Sequence, residues 1–206
     1  MEWVAKWNDT AKQNESRYPR IRLTVSYNGK TLKGKRMKRF VVAALIATSS
    51  TFTFAADQQC LANKYDGYVD ASLQWYQDLV DLTAAQYPEL DEVSQWFLEG
   101  RKHHFELSRE AVHYFLANDP SRVATEQPIE AWLKLEQHDV KQLASRSDAL
   151  GKAAQQTFND RQSANHPKNY ELRSAFADLL SHPKQIDSAL NKYNQSIESI
   201  EKQHCE

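Results

Sequence analysis

The chain is poor in the residues that punctuate β-structure. Only 5 glycines and 6 prolines occur in 206 residues, too few for the tight turn roughly every ten residues that a many-stranded sandwich or barrel needs. Two methionines, Met1 and Met37, and two cysteines, Cys60 and Cys205, are present. The cysteines form no Cys-x-x-Cys, and His204-Cys205 is not the Cys-x-x-Cys-His of covalent haem. Past Met37 there is no methionine to serve as an axial haem ligand. A glycine-rich phosphate loop, a nucleophile elbow and a zincin motif are all missing, so catalysis has no motif to stand on. The longest apolar run, Phe40 to Ala47, is 8 residues, far below the roughly 20 that span a membrane.

What remains is unevenly charged. The formal net charge of −1 averages three unlike pieces. Residues 1–36 carry 9 Lys and Arg against 3 Asp and Glu; residues 37–55 carry only Lys38 and Arg39; residues 56–206 carry 15 against 24, a net of −9. Met37-Lys38-Arg39, the apolar run and the small residues up to Ala55 have the three zones of a secretory signal peptide over 37–55, with cleavage after Ala55. The expected product is periplasmic or secreted and retains no membrane span. Residues 1–36 read as a non-native upstream extension or a basic leader; Ile21 to Tyr27 alternates like a strand and Asn28-Gly29 is a hairpin turn signal. Residues 56–206 are one domain, long enough to bury about 70% of its chain surface.

Apolar residues in this domain recur at steps of three and four, the signal of helices packed side by side. Leu61, Tyr65, Tyr68, Ser72, Trp75, Leu79 and Leu82 share one face of a first segment. A second seam runs from Leu90 and Val93 through Phe97, Gly100, His104 and Leu107 to Tyr114. A third is read continuously over 128–163, through Leu133, Glu136, Val140, Leu150 and Thr157. The fourth, over 169–204, keeps phase across Pro183, so one kinked helix or two collinear ones are expected. Tyr87-Pro88, Asn118-Asp119-Pro120, Thr125 to Pro128 and Asn165-His166-Pro167 mark the breaks. The fold class is therefore all-α, with the expected architecture an up-down-up-down four-helix bundle of long helices. That topology brings Cys60 and Cys205 to the same end, and an exported chain should oxidise them to a disulfide.

Candidate chemistry concentrates on the second helix. Glu99, His103, Glu106, Glu110 and His113 stand at helical spacing, and Glu110 and His113 form a Glu-x-x-His pair of the kind that supplies ligands in dimetal bundles. On a helical wheel, however, Glu106, Glu110 and His113 fall opposite the apolar seam with Lys102 and Arg109, which favours a solvated charged face. His104 lies within the seam beside Gly100, and Glu136 is its counterpart on the third segment. A buried carboxylate needs a partner, so a His104–Glu136 pair is expected.

The leading functional expectation is binding rather than catalysis. The acidic domain suits a basic protein or peptide partner in the envelope, as a chaperone, inhibitor or immunity protein, or accessory factor, and disfavours nucleic acid. Trp75, Tyr76, Trp96, Phe97, Trp132, Tyr65 and Tyr68 exceed what one seam buries, and exposed rings anchor interfaces. The alternative is a carrier of zinc, copper or haem using the second-helix histidines, or His138, with nearby carboxylates. Processing is checked first: intact-mass measurement of protein recovered from the envelope should give a chain starting at Ala56, and recovery of residues 1–36 on the mature protein would contradict the export assignment.

Overall fold

The computed structural model describes residues 50–205, and among them every regular element is helical. The basic stretch 1–36 and residues 37–49 of the expected signal peptide lie outside the described residues. Six α-helices follow one another: α1 Ser50–Gln86, α2 Asp91–Asn118, α3 Gln137–Leu143, α4 Ala149–Gln162, α5 Asn169–Ser181 and α6 Pro183–Glu201. Short 3-10 turns occupy Pro88–Leu90, Pro120–Arg122 and Ile129–Ala131. No helix among the described residues is long and apolar enough to cross a membrane.

The central unit is the α1–α2 hairpin. Pro88 cannot continue α1, because it lacks a backbone donor and restricts Tyr87. The chain turns instead, with the Tyr87 amide donating to Thr83 O at 2.7 Å and the Leu90 amide donating to Tyr87 O at 2.9 Å. Along the hairpin Val69, Val80, Val93, Leu98 and Val112 are sealed from solvent. α6 packs on α1, α4 packs on α2, α3 rests on α4, and α5 covers the start of α2. With neighbours on more than one side, α2 buries a broad arc. Leu98, Phe105, Val112, Phe115 and Leu116 join Val93, Leu107 and Ala111 inside, whereas the expected seam members Gly100, His104 and Tyr114 are only half-buried.

Where the sequence suggests a single helix over 128–163, the structure has three pieces. After the Ile129–Ala131 turn the chain is non-helical until Glu136, which begins α3 with a capping box: its amide donates to Asp139 Oδ2 at 2.9 Å. A second break over 145–148 is equally local. Asp148 caps α4 by accepting from the Gly151 amide at 3.0 Å while also holding Arg146, and this partnership holds its carboxyl down to about 2. A Cβ at Gly151 would overlap the Arg146 carbonyl, so this reversal requires glycine. Capping side chains therefore override the apolar period, and a bundle of four unbroken long helices is not formed. Pro183 does split the last segment, opening α6 at its first position.

The two ends of the domain are tied together. Cys60 and Cys205 form a disulfide with Cα atoms 5.6 Å apart across 145 residues of sequence. One turn along α1, Lys64 is buried and donates from Nζ to Glu201 O and Gln203 O, each at 3.1 Å. It thus satisfies carbonyls at the α6 C-terminus that no helical amide reaches. The Glu201 carboxylate lies 3.7 Å from the same ammonium and accepts the Ile129 amide at 2.7 Å. Tyr65 stacks on buried Trp132 alongside, ring centroids 6.0 Å apart. Three chain segments meet there around one cation.

Closing so long a loop stabilises by at most about 5 kcal/mol in the chain-entropy account. The double variant Cys60→Ser/Cys205→Ser should therefore melt several degrees lower, at about 2–4 °C per kcal/mol for a domain of this size. Unchanged melting with and without reductant would contradict the closure.

Candidate functional site

The second-helix stripe does not converge. His103 is held on both ring nitrogens, Nδ1 lying 2.7 Å from Asp160 Oδ2 on α4 and Nε2 lying 3.1 Å from Glu99 Oε1. The Thr157 hydroxyl donates to the His103 carbonyl at 3.0 Å, so this cluster pins α4 to α2. Ten residues on, His113 Nε2 meets Asp66 Oδ1 of α1 at 2.8 Å. Between them Arg109 bridges Asp70 at 2.6 Å and Asp66 at 3.5 Å, with Glu106 3.3 Å from its Nε. Glu110 is half-buried on the same helix. The face is solvated at Glu99, Glu106 and His113, as expected, and is also stitched to α1 and α4 by these pairs. Among the described residues no three His, Cys, Asp or Glu side chains are grouped to hold one ion.

The expected His104–Glu136 pair is not formed. Glu136 is the exposed N-cap of α3, and its carboxylate lies near Lys134 and His138, at 3.4 and 3.7 Å. Glu136 would fall in the seam only if 128–163 were one continuous helix, and α3 begins at its cap instead. His104 instead shares its surroundings with two cations. Burial is the main force lowering its pKa to about 4, and the positive charges of Arg101 and Arg161 add to it.

A different feature stands at the end of the hairpin far from the disulfide. Tyr87, Leu90, Tyr170, Ser174 and Ala175 line an open cleft of about 410 Å³ where α5 meets the Pro88 turn. Its apolar lining, Leu90 and Ala175, belongs to a small separate core completed by Val93 and Leu172. Two exposed carboxylates, Glu89 and Glu171, stand in the cleft lining; Asp91 and Glu92, also exposed, follow on the first turn of α2, with Glu92 3.7 Å from His166. Lys168 anchors the rim by donating to Glu89 O at 2.8 Å, and the Tyr87 hydroxyl donates to Asp178 Oδ2 at 2.7 Å. Two aromatic rings stand out of this end: Tyr170, 80% exposed, and Trp96, 41% exposed and packed near His166 with centroids 5.6 Å apart. Trp96 belongs to the aromatic set singled out from the sequence, whereas Tyr170 escaped notice. Its signal was available, since Tyr170 falls on the face opposite Leu172, Phe176 and Leu179 and so could not be core.

Comparison with family models, with curated proteins and with solved structures finds no match to this chain. The class of protein is therefore defined by its own geometry: an all-α, disulfide-tied domain with an acidic, aromatic-bearing cleft at the end opposite the tie.

The environment of His104 makes a sign-definite prediction. Its folded pKa of about 4 lies below the ordinary imidazole value of about 6.5, so the unfolded chain binds the extra proton first as pH falls. Stability associated with this group is intact above about pH 6.5 and is lost progressively down to about pH 4, amounting to about 3 kcal/mol. Denaturant titrations of wild type and His104→Gln in phosphate-free buffer should show a weaker pH dependence over this window in the variant; identical slopes would refute the assignment.

Proposed function

We propose that this is an exported binding protein whose ligand is a basic peptide segment of an envelope partner, taken up at the Tyr87–Tyr170 cleft. The observation that carries the reading is the exposed Tyr170 ring in a cleft lined by buried Leu90 and Ala175 and by the exposed carboxylates of Glu89 and Glu171. Protruding aromatics supply contact area at low entropic cost, and burying them on association is the usual source of interface hot spots. The carboxylate rim steers cations toward the cleft and disfavours anionic surfaces. A Lys or Arg side chain suits both parts, since its alkyl stem covers apolar surface while its head stays among the carboxylates, and a cation over Tyr170 or Trp96 gains from the ring face. The disulfide and the absence of a membrane-crossing helix among the described residues are compatible with export. The carrier alternative gains no comparable support, because His103 and His113 on α2 are already committed to separate carboxylates and His104 has none beside it.

Anisotropy of labelled lysine-rich and glutamate-rich peptides of equal length, titrated with the disulfide-intact protein, tests the proposal. The basic peptide should bind more tightly and weaken as salt is added. Tyr170→Ala and Glu171→Lys should each reduce affinity about tenfold, equivalent to about 1.4 kcal/mol. Equal binding of both peptides, or binding indifferent to both variants, would overturn it.

A further inference from the structure

On α2 the footprints of its neighbours leave a notch. Upstream, α5 covers Phe97, whose ring meets Phe176 with centroids 5.1 Å apart. Downstream, the last turns of α4 are fastened at His103 by Thr157 and Asp160. Between these two fastenings lie Gly100 and Arg101, with His104 just past the second. A Cβ added at Gly100 would meet nothing within 4 Å, so open space stands over this stretch of helix.

Arg101 lies across the rings of Phe97 and Tyr76, its guanidinium carbon 5.3 and 5.8 Å from their centroids. Stacking of this kind fixes the plane of the fork and leaves its Nη edge available. No hydrogen bond or ion pair to Arg101 occurs among the described residues, and its Nε is buried without a partner. Arg161, exposed at the end of α4, donates from Nη1 to the Gln137 side chain at 3.1 Å and has no carboxylate partner among the described residues. Burial and the charge of Arg101 lower the Arg161 pKa, so the two cations oppose one another.

Arg109, Arg122 and Arg146 each hold an aspartate, namely Asp70, Asp139 and Asp148, whereas Arg101 and Arg161, like the exposed Arg173 on α5, hold none among the described residues. The acids flanking the notch, Glu99 on α2 and Asp160 on α4, are both engaged by His103. The Asp160–His103 pair brings the neighbouring Arg161 to this stretch of α2, and a stacked guanidinium with a buried donor left over, close to a second unpaired guanidinium, is a costly arrangement unless something negative completes it.

We infer that the notch is an oxyanion-binding site, in which Arg101 and Arg161 clamp a phosphate or carboxylate group over Gly100, with His104 beside it. Forked, two-point bonding of guanidinium to either group is the geometry that arginine supplies and lysine does not. The site is independent of the acidic cleft and takes ligands of opposite charge. A phosphorylated metabolite and a free carboxylate, such as a peptide C-terminus, are the two sources of this chemistry.

The arginine Nε–Hε signals of ¹⁵N-labelled, disulfide-intact protein report directly on the clamp. Inorganic phosphate, and separately acetate, are titrated at pH 6.5 against sodium chloride at matched ionic strength. Saturable shifts of the Arg101 and Arg161 signals at concentrations at least about tenfold below any chloride effect are expected, a preference that bidentate charge-assisted bonding provides. Saturation by phosphate alone assigns the phosphoryl source, and saturation by acetate assigns the carboxylate source; both support the clamp. Arg161→Gln, at an exposed position, should abolish saturation while leaving the melting temperature nearly unchanged, and Arg101→Lys, which keeps the charge but removes the fork, should do the same to binding. Shifts no larger than those from chloride, or saturation that survives both variants, would overturn the inference.

Discussion

One constraint governs the architecture: the beginning of α1 and the end of α6 are held at the same place. The Cys60–Cys205 link supplies the covalent part. Lys64 supplies the polar part, for its buried ammonium is satisfied only by carbonyls at the α6 C-terminus and by Glu201, which in turn holds the Ile129 amide. A cation so deeply placed is tolerated because its donors are used. Removing any one of these segments would strand it. The middle of the chain can therefore reverse at Pro88, at Pro120 and again over 145–148 while the terminal segments remain in register with α1. Cys60 and Tyr87 are separated by about 40 Å of α1 at 1.5 Å per residue, so the closure leaves the opposite end free to present side chains outward.

Much of this was legible in the amino-acid order, and what was not has identifiable causes. Proline-marked breaks at Pro88, Pro120 and Pro183 appear where their missing donors demand. The disulfide followed from placing Cys60 and Cys205 at the two extremes of an even number of antiparallel passes. The continuous third helix failed because Leu133, Val140 and Leu150 match a heptad without belonging to one helix; Glu136 and Asp148 are capping residues, and caps are decided by one side chain and a few amides. Glu136 was consequently misplaced as a buried partner of His104. The α2 seam was drawn too narrow for a similar reason, since a three-four stripe describes one neighbour and α2 has several. Lys64 was hidden because a lysine within an amphipathic pattern reads as solvent-facing; only its position one turn from Cys60 hinted at the α6 terminus beneath it.

Charge organises the surface into two unlike regions. Where α2 faces α1, opposite charges are matched across the boundary, as in the Arg109–Asp70 and His113–Asp66 pairs, and these partly exposed contacts serve orientation more than stability. At the Tyr87–Tyr170 end, carboxylates exceed cations around exposed rings. In the notch between α4 and α5 the balance reverses, with Arg101, Arg161 and His104 together. The two imbalances are of opposite sign and lie on different stretches of α2.

The central claim is a division of labour between a closed end and a recognising end. Amide hydrogen exchange of the disulfide-intact protein, with and without a saturating lysine-rich peptide, tests it most directly, since exchange reports local opening segment by segment. The account predicts slowed exchange confined to residues 87–96 and 166–175, with residues 60–69 and 197–205 already well protected and unchanged. Slowing at the Cys60–Cys205 end alone, or a uniform change over all helices, would contradict it.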